Sequence, residues 1–176
     1  LETSLIAFVV VDSTQGINFE DMRLINESIR NYCTPILIMN KWDLLDEEEK
    51  LNINSTLNSH LKKFNWIKVI RISALTKKGL EKFSNTIKEI YFQLDSRIDT
   101  SDLNLFFREL WVSSPPHPFR GRRAKLKYVT QYDTNPPSFS FNLSSRIPKN
   151  YEAFIENKIR KEFKFFNVSM LIKFKS

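Results

Sequence analysis

The sequence predicts an α/β fold: part of a doubly wound parallel sheet, followed by a small α+β unit of order α-β-β-α-β. Three observations carry this. Over residues 1–95, apolar runs of strand length alternate with helix-length segments, the pattern that a parallel sheet with crossover helices requires. From residue 96 the pattern becomes a helix, two period-2 segments, a second helix and a closing strand. The charge changes at the same place. Residues 1–95 carry 12 Lys/Arg against 13 Asp/Glu, and residues 96–176 carry 15 against 7. The formal net charge of +7 therefore comes wholly from the second part, an asymmetry that suggests contact with a polyanion.

Each element has its own local reason. Leu5–Val11 is a near-continuous apolar run of the kind buried in a parallel sheet. Asn18–Tyr32 reads as a helix with Met22, Ile25 and Ile29 on one face, and Pro35–Met39 as the next strand. The run Asp46-Glu-Glu-Glu49 opens a helix, because negative charge in a first turn complements the helix dipole. Ile67–Ile72 is the third strand, and Gly79–Leu94 a helix with Leu80, Phe83, Ile87, Tyr91 and Leu94 on one stripe. After a polar connector, Ser101 or Asp102 caps a helix through Trp111, and the prolines of 113–121 form a loop. Arg123–Thr130 alternates, with Ala124, Leu126 and Tyr128 expected inward and Arg123, Lys125 and Lys127 outward. A turn at Asn135-Pro-Pro137 leads to Ser138–Leu143, with Phe139, Phe141 and Leu143 inward. Tyr151–Phe166 reads as an amphipathic helix and Val168–Lys175 as the last strand.

Composition sets limits. With 176 residues and 41% apolar side chains, two small cores are attainable. The single cysteine, Cys33, excludes a disulfide framework. No apolar stretch approaches the ~20 residues of a membrane span, and no signal-peptide pattern is present. A cytoplasmic protein with no membrane partner is expected. His60 and His117 lack companions at metal-ligand spacing, and no metal site is assigned.

The chemistry concentrates in Ile36-Leu-Ile-Met-Asn40-Lys41-Trp42-Asp43 and in Ser73-Ala74, each at the end of an apolar strand. Ligands of open α/β sheets bind at those carboxyl ends. Guanine presents N1–H and an exocyclic amine side by side, and the two oxygens of Asp43 can accept both; adenine offers no such pair. Asn40 can reach N7 and tie neighbouring loops. The methylenes of Lys41 can lie over the base with the ammonium in solvent. Ser73 shapes the second loop so that the Ala74 N–H can meet guanine O6. Trp42, at the variable position, is expected to pack.

None of the three glycines, Gly16, Gly79 and Gly121, belongs to a Gly-x-x-x-x-Gly-Lys-Ser/Thr phosphate loop. Asp12 reads as a strand-end turn residue. The chain is expected to be the back part of a GTPase domain, with no catalytic residue of its own and no GTP hydrolysis alone.

Asn40-Lys-Trp-Asp43 and Ser73-Ala-Leu75, then Gly121-Arg-Arg123, Tyr128-Val-Thr-Gln131 and Pro136-Pro-Ser-Phe139, resemble the bacterial double-GTPase family Der, also called EngA. The resemblance covers essentially the whole chain. It implies the carboxyl part of a P-loop GTPase domain in residues 1–95 and a KH-like domain in 96–176. It also implies GTP or GDP as ligand, with Mg²⁺ in the intact protein. The implied role is assembly of the large ribosomal subunit, with that subunit's RNA and the family's other GTPase domains as partners.

One glycine in the second part leaves no Gly-x-x-Gly loop of the kind that clamps single-stranded RNA. An RNA contact therefore rests on charge: Arg120, Arg122, Arg123, Lys125 and Lys127 on a loop and strand, and Lys158, Arg160, Lys161 and Lys164 on the last helix. Two other readings stay open. The basic strand face can simply prevent edge-to-edge pairing, or the module can dock against GTPase domains as a regulatory element without touching RNA.

Overall fold

The computed structural model describes residues 4–176. The chain divides into one unit that ends at Phe92 and takes in Asn167–Ser169, and another formed by Gln93–Phe166 with Met170–Ser176.

In the first unit, β1 (Ile6–Asp12), β2 (Thr34–Asn40) and β3 (Lys68–Arg71) form a parallel sheet in the order β1-β2-β3. The middle strand is buried from Thr34 to Met39, which is why it is apolar without a break from Pro35 to Met39. Helices α1 (Phe19–Arg30) and α2 (Glu47–His60) supply Ile25 and Leu57 to a core with Val9, Val11, Leu37 and Met39. Both start in capping boxes: Asn18 with Asp21, and Asp46 with Glu49. The acidic run at 46–49 is thus a helix start as expected.

Two expectations change here. Strand β1 is an edge strand and its second face is only partly covered, with Phe8 packed against Phe83 at 5.1 Å. Val9 and Val11 are buried, whereas Phe8 is 46% and Val10 58% exposed. On helix α3 (Leu80–Leu94) the buried positions are Thr86, Ile90 and Leu94, and Tyr91 turns outward. The unit also reaches across the sequence. The Ser169 N–H donates to Thr34 Oγ1 at 3.0 Å, and Ser169 Oγ donates to the Cys33 carbonyl at 2.9 Å.

The second unit follows the order α4 (Thr100–Ser113), β4 (Leu126–Thr134), β5 (Pro137–Leu143), α5 (Lys149–Glu162), β6 (Leu171–Lys175). Its sheet has the order β4-β5-β6, with β4 antiparallel and β6 parallel to β5. The cap of α4 is Asp99 rather than Ser101 or Asp102; its carboxylate accepts from the Ser101 N–H at 2.7 Å. Phe139, Phe141 and Leu143 are buried as read from the sequence, and Ser138 and Ser140 are buried too because β5 is the central strand. Phe141 packs edge-on against Phe107 of α4 with centroids 4.8 Å apart, and Phe139 against Phe165 at 5.8 Å. Such pairs contribute about 0.5–1.5 kcal/mol each beyond their buried area.

The alternation expected along β4 is out of phase. An irregularity in the pairing between Leu126 and Tyr128 shifts it, so Val129 and Gln131 point inward and Tyr128 is 52% exposed. The last helix ends at Glu162, and an irregular stretch precedes the short final strand.

Two polar side chains hold this unit. The Asn104 amide accepts from the Val129 N–H at 2.9 Å and donates to the Val129 and Thr100 carbonyls at 2.7 Å each. Gln131, buried, accepts from the Ile98 N–H at 2.8 Å and donates to the Ser96 carbonyl at 2.9 Å. Among the described residues no helix is long and apolar enough to cross a membrane.

Asn104→Leu should cost about 1–3 kcal/mol, since it leaves both backbone groups of Val129 without their partner; denaturant unfolding of the chain measures this, and an unchanged midpoint would refute it. Tyr151 donates its phenol to the Ser114 carbonyl at 2.7 Å, and burial pushes its pKa up to about 12. A raised folded value makes its contribution to stability complete below the unfolded phenol pKa of about 10, and lost as pH rises from there toward 12. In an alkaline titration followed by phenolate absorbance, Tyr151→Phe should remove a step at about pH 12.

Candidate functional site

The candidate site begins with strand register. Parallel pairing sets Asp12 opposite Asn40, and Met39 opposite Arg71, so all three strands of the first sheet end level with one another. The loops that follow are stitched by backbone: Ser13 N–H to the Asn40 carbonyl at 2.9 Å, Ile72 N–H to the Met39 carbonyl at 2.9 Å, and Trp42 N–H to the Ile72 carbonyl at 3.1 Å.

Asn40 supplies the tie expected of it. Its Oδ1 accepts from the Ala74 N–H at 2.9 Å, joining the two motif loops. That bond engages the Ala74 N–H, the donor expected for guanine O6. Lys41 takes a left-handed backbone conformation with φ 59° and turns the chain into the single helical turn Trp42–Leu44 that carries Asp43. Among the described residues none pairs with the exposed Asp43 carboxylate, so both its oxygens can accept. Ser73 is buried, and its Oγ accepts from the Thr76 N–H at 3.1 Å, which bends the loop as expected.

The Lys41 ammonium departs from expectation. Still half exposed, it pairs with Asp12 Oδ2 at 2.6 Å. The hydrogen bonds from Lys41 and Thr14 hold the Asp12 carboxyl below its usual range. Asp12 is therefore part of the site, anchoring a motif side chain. The signal was available, because parallel neighbours that end together place Asp12 beside Asn40, and the side chain of the next residue is within reach.

Gly79 is required by space. Its φ is +85°, and a Cβ there would lie 2.5 Å from the Arg71 carbonyl oxygen. Trp42 packs against the core, as expected, with the Arg71 guanidinium 5.1 Å over its ring and bonded to Asn54 Oδ1.

In the second unit the structure divides the basic candidates. Arg120 and Gly121, at φ 49° and 75°, are the two central residues of a tight turn closed by reciprocal backbone bonds between Phe119 and Arg122. Arg120, Arg122, Arg123, Lys125 and Lys127 are exposed, and so are Lys161 and Lys164. Lys158 is half-buried with its ammonium 5.3 Å from the Phe154 ring.

Arg160 leaves the set. It is buried, bonded bidentately to Glu156 at 2.8 and 3.2 Å, and donates to the Phe165 carbonyl at 3.1 Å. Its guanidinium holds the end of α5 and presents no charge to a partner. Arg146, which the sequence reading passed over, joins Arg120 and Arg122 around one cleft. It stands alone in an otherwise uncharged stretch from 138 to 148, so no charge run marked it.

A parallel sheet with base-reading loops at its carboxyl edge, followed by a mixed α+β module, defines a GTP-binding domain joined to a KH-like domain. Residues 2–93 match the sequence profile of the elongation factor Tu GTP-binding domain, and residues 97–175 match that of the carboxyl-terminal KH-domain-like region of EngA bacterial GTPases. The chain belongs to the Der (EngA) GTPase family, with a GTP-binding part followed by the KH-like domain. GTPase Der of Chlorobium luteolum is 34% identical over 99% of this chain, and GTPase Der of Chlorobaculum tepidum 31% over the same share. The chain spans 41% of the length of each. A crystal structure of Era with MgGDPNP and a segment of 16S ribosomal RNA aligns with 99% of this chain and 65% of its own. Its sequence identity is 17% and its TM-score 0.44.

Asn40→Ala should free the Ala74 amide. Its hydrogen-exchange protection should fall by about tenfold or more, the loss expected for one hydrogen bond of ~1.4 kcal/mol, while amides of β2 stay protected. Equal protection of Ala74 in both proteins would show that the tie does not organise the loops.

Proposed function

We propose that this chain supplies the base-reading and RNA-contacting parts of a cytoplasmic GTPase that acts in assembly of the large ribosomal subunit. The observation that supports it most is the Asn40–Ala74 bond, which sets the Asp43 loop and the Ser73 loop side by side at the carboxyl edge of the parallel sheet. In that arrangement Asp43 accepts from the N1–H and amine of guanine. The Lys41 stem, tethered through Asp12, covers a face of the base. Adenine would leave the Asp43 oxygens facing an acceptor, and sites built for such hydrogen bonds reject the wrong partner by about 10⁴-fold or more. GTP, when bound, supplies the phosphoryl group whose hydrolysis drives the cycle; the residues of this chain select and orient the base.

The KH-like module supplies the second half of the function. Membership of the family, the excess of eight positive charges in residues 96–176 and the exposed Arg120, Arg122, Arg123, Lys125 and Lys127 support a contact with ribosomal RNA. Such a contact releases counterions from the RNA, so its affinity falls steeply with salt.

Co-sedimentation of the chain with purified large ribosomal subunits over a salt series tests the reading. Binding should weaken as salt rises and be lost in Arg122→Glu/Arg123→Glu. Unchanged binding by that variant, or none by the wild-type chain at low salt, would remove the RNA contact and favour a module that docks against GTPase domains.

A further inference from the structure

The turn at 119–122 and the approach to α5 enclose a cleft of about 490 Å³ lined by Phe119, Arg120, Arg122, Ser144, Ser145, Arg146 and Ser176. A neighbouring cavity of about 590 Å³ shares Phe119, Arg120 and Arg146 and extends to Lys149 and Glu152 at the start of α5. Three arginines thus converge on one hollow. Among the described residues no carboxylate is ion-paired with any of them, and Arg120 has only the face of Phe119 at 5.7 Å. Glu152 is the one acidic side chain on the rim.

Donors other than guanidinium point the same way. Ser144 Oγ accepts from the Lys125 N–H at 2.8 Å, which leaves its own proton to give. The hydroxyl of Ser145 is buried and has no hydrogen-bond partner among the described residues. A buried hydroxyl normally finds one, and here the cleft is where a partner can come from. Helix α5 starts at Lys149 behind Pro148 with no side-chain cap, and Glu152 is the acidic residue of its first turn. Arg120 occupies a left-handed position in a two-residue turn, where glycine or asparagine is usual. The turn places a guanidinium where a small residue would be easier to accommodate.

We propose that this cleft seats a backbone phosphodiester of single-stranded RNA, with Arg120, Arg122 and Arg146 donating to the phosphate oxygens and the hydroxyls of Ser144 and Ser145 completing the shell. This rests on the RNA reading above and narrows it from a basic surface to one pocket, with Arg146 as a binding residue. Planar guanidinium forks match phosphate oxygens two at a time. The bases are left unread, in keeping with a module that has no Gly-x-x-Gly loop.

The test uses the full chain with a short single-stranded oligouridine, followed by fluorescence anisotropy over a salt series and by amide chemical shifts. Arg146→Gln should weaken binding about tenfold and lower the salt slope by about 0.7, the value for one single-strand phosphate contact. Lys88→Gln, an exposed cation of α3, should change affinity no more than about twofold, as expected of a surface cation outside the pocket. The amides of Ser144, Ser145 and Arg146 should shift with oligouridine. Wild-type affinity in Arg146→Gln, or unmoved amides in a chain that binds, would overturn the cleft while leaving the RNA reading intact. A chain that binds no oligouridine yet shifts those amides with inorganic phosphate would make the cleft a small-anion site and overturn both the phosphodiester and the RNA reading. Failure with both probes would overturn the cleft as an anion site of any kind.

Discussion

Both units are organised by a central strand that has no face left for water. In β2 this forces an unbroken apolar run, and it lets both neighbours run parallel, so three strands finish at one edge. Large polar side chains return only at the strand's end, and Asn40, still paired with Asp12, is the first residue of β2 that is not fully buried. The base-reading tetrapeptide lies where it does because burial of β2 stops there. In β5 the same constraint is met differently: Ser138 and Ser140 are buried among phenylalanines, and aromatic packing on both sides closes the unit.

How much could be read in advance depended on whether the cue was local. The capping box at Asp46, the inward phenylalanines of β5, the order of elements and the two motif loops all rest on residues within a few positions of one another. Their structures follow from periodicity and hydrogen-bonding chemistry alone. What escaped was decided at a distance or by phase. The outward turn of Tyr128 comes from an irregularity in strand pairing, which no alternation within the strand encodes. The partial exposure of β1 follows from its edge position, and an apolar sequence reads the same at an edge as in a centre. Arg160 looked like one more cation of a basic helix; it is buried because Phe165, five residues on, needs a donor for its carbonyl.

Electrostatics repeats this lesson within the site. Sequence counts place charge on a segment, but the segment does not say which charges are already satisfied. Lys41 and Arg160 are both motif or patch cations on paper, and both carry an acid in the folded chain, Asp12 and Glu156. Arg120, Arg122 and Arg146 carry none. The distinction matters more than the total, because a cation already paired in the protein gains little by meeting another anion, while an unpaired one gains the full interaction.

Strand β4 lies at the margin of its sheet, where a peptide could be added by backbone pairing. The amide of Asn104 occupies both outward-facing backbone groups of Val129, so at that point a side chain plays the part of a neighbouring strand. Recognition by strand addition is thereby closed at the middle of this margin. Whatever engages this side of the module has to read side chains, Tyr128 and Lys127 foremost, and cannot simply lengthen the sheet.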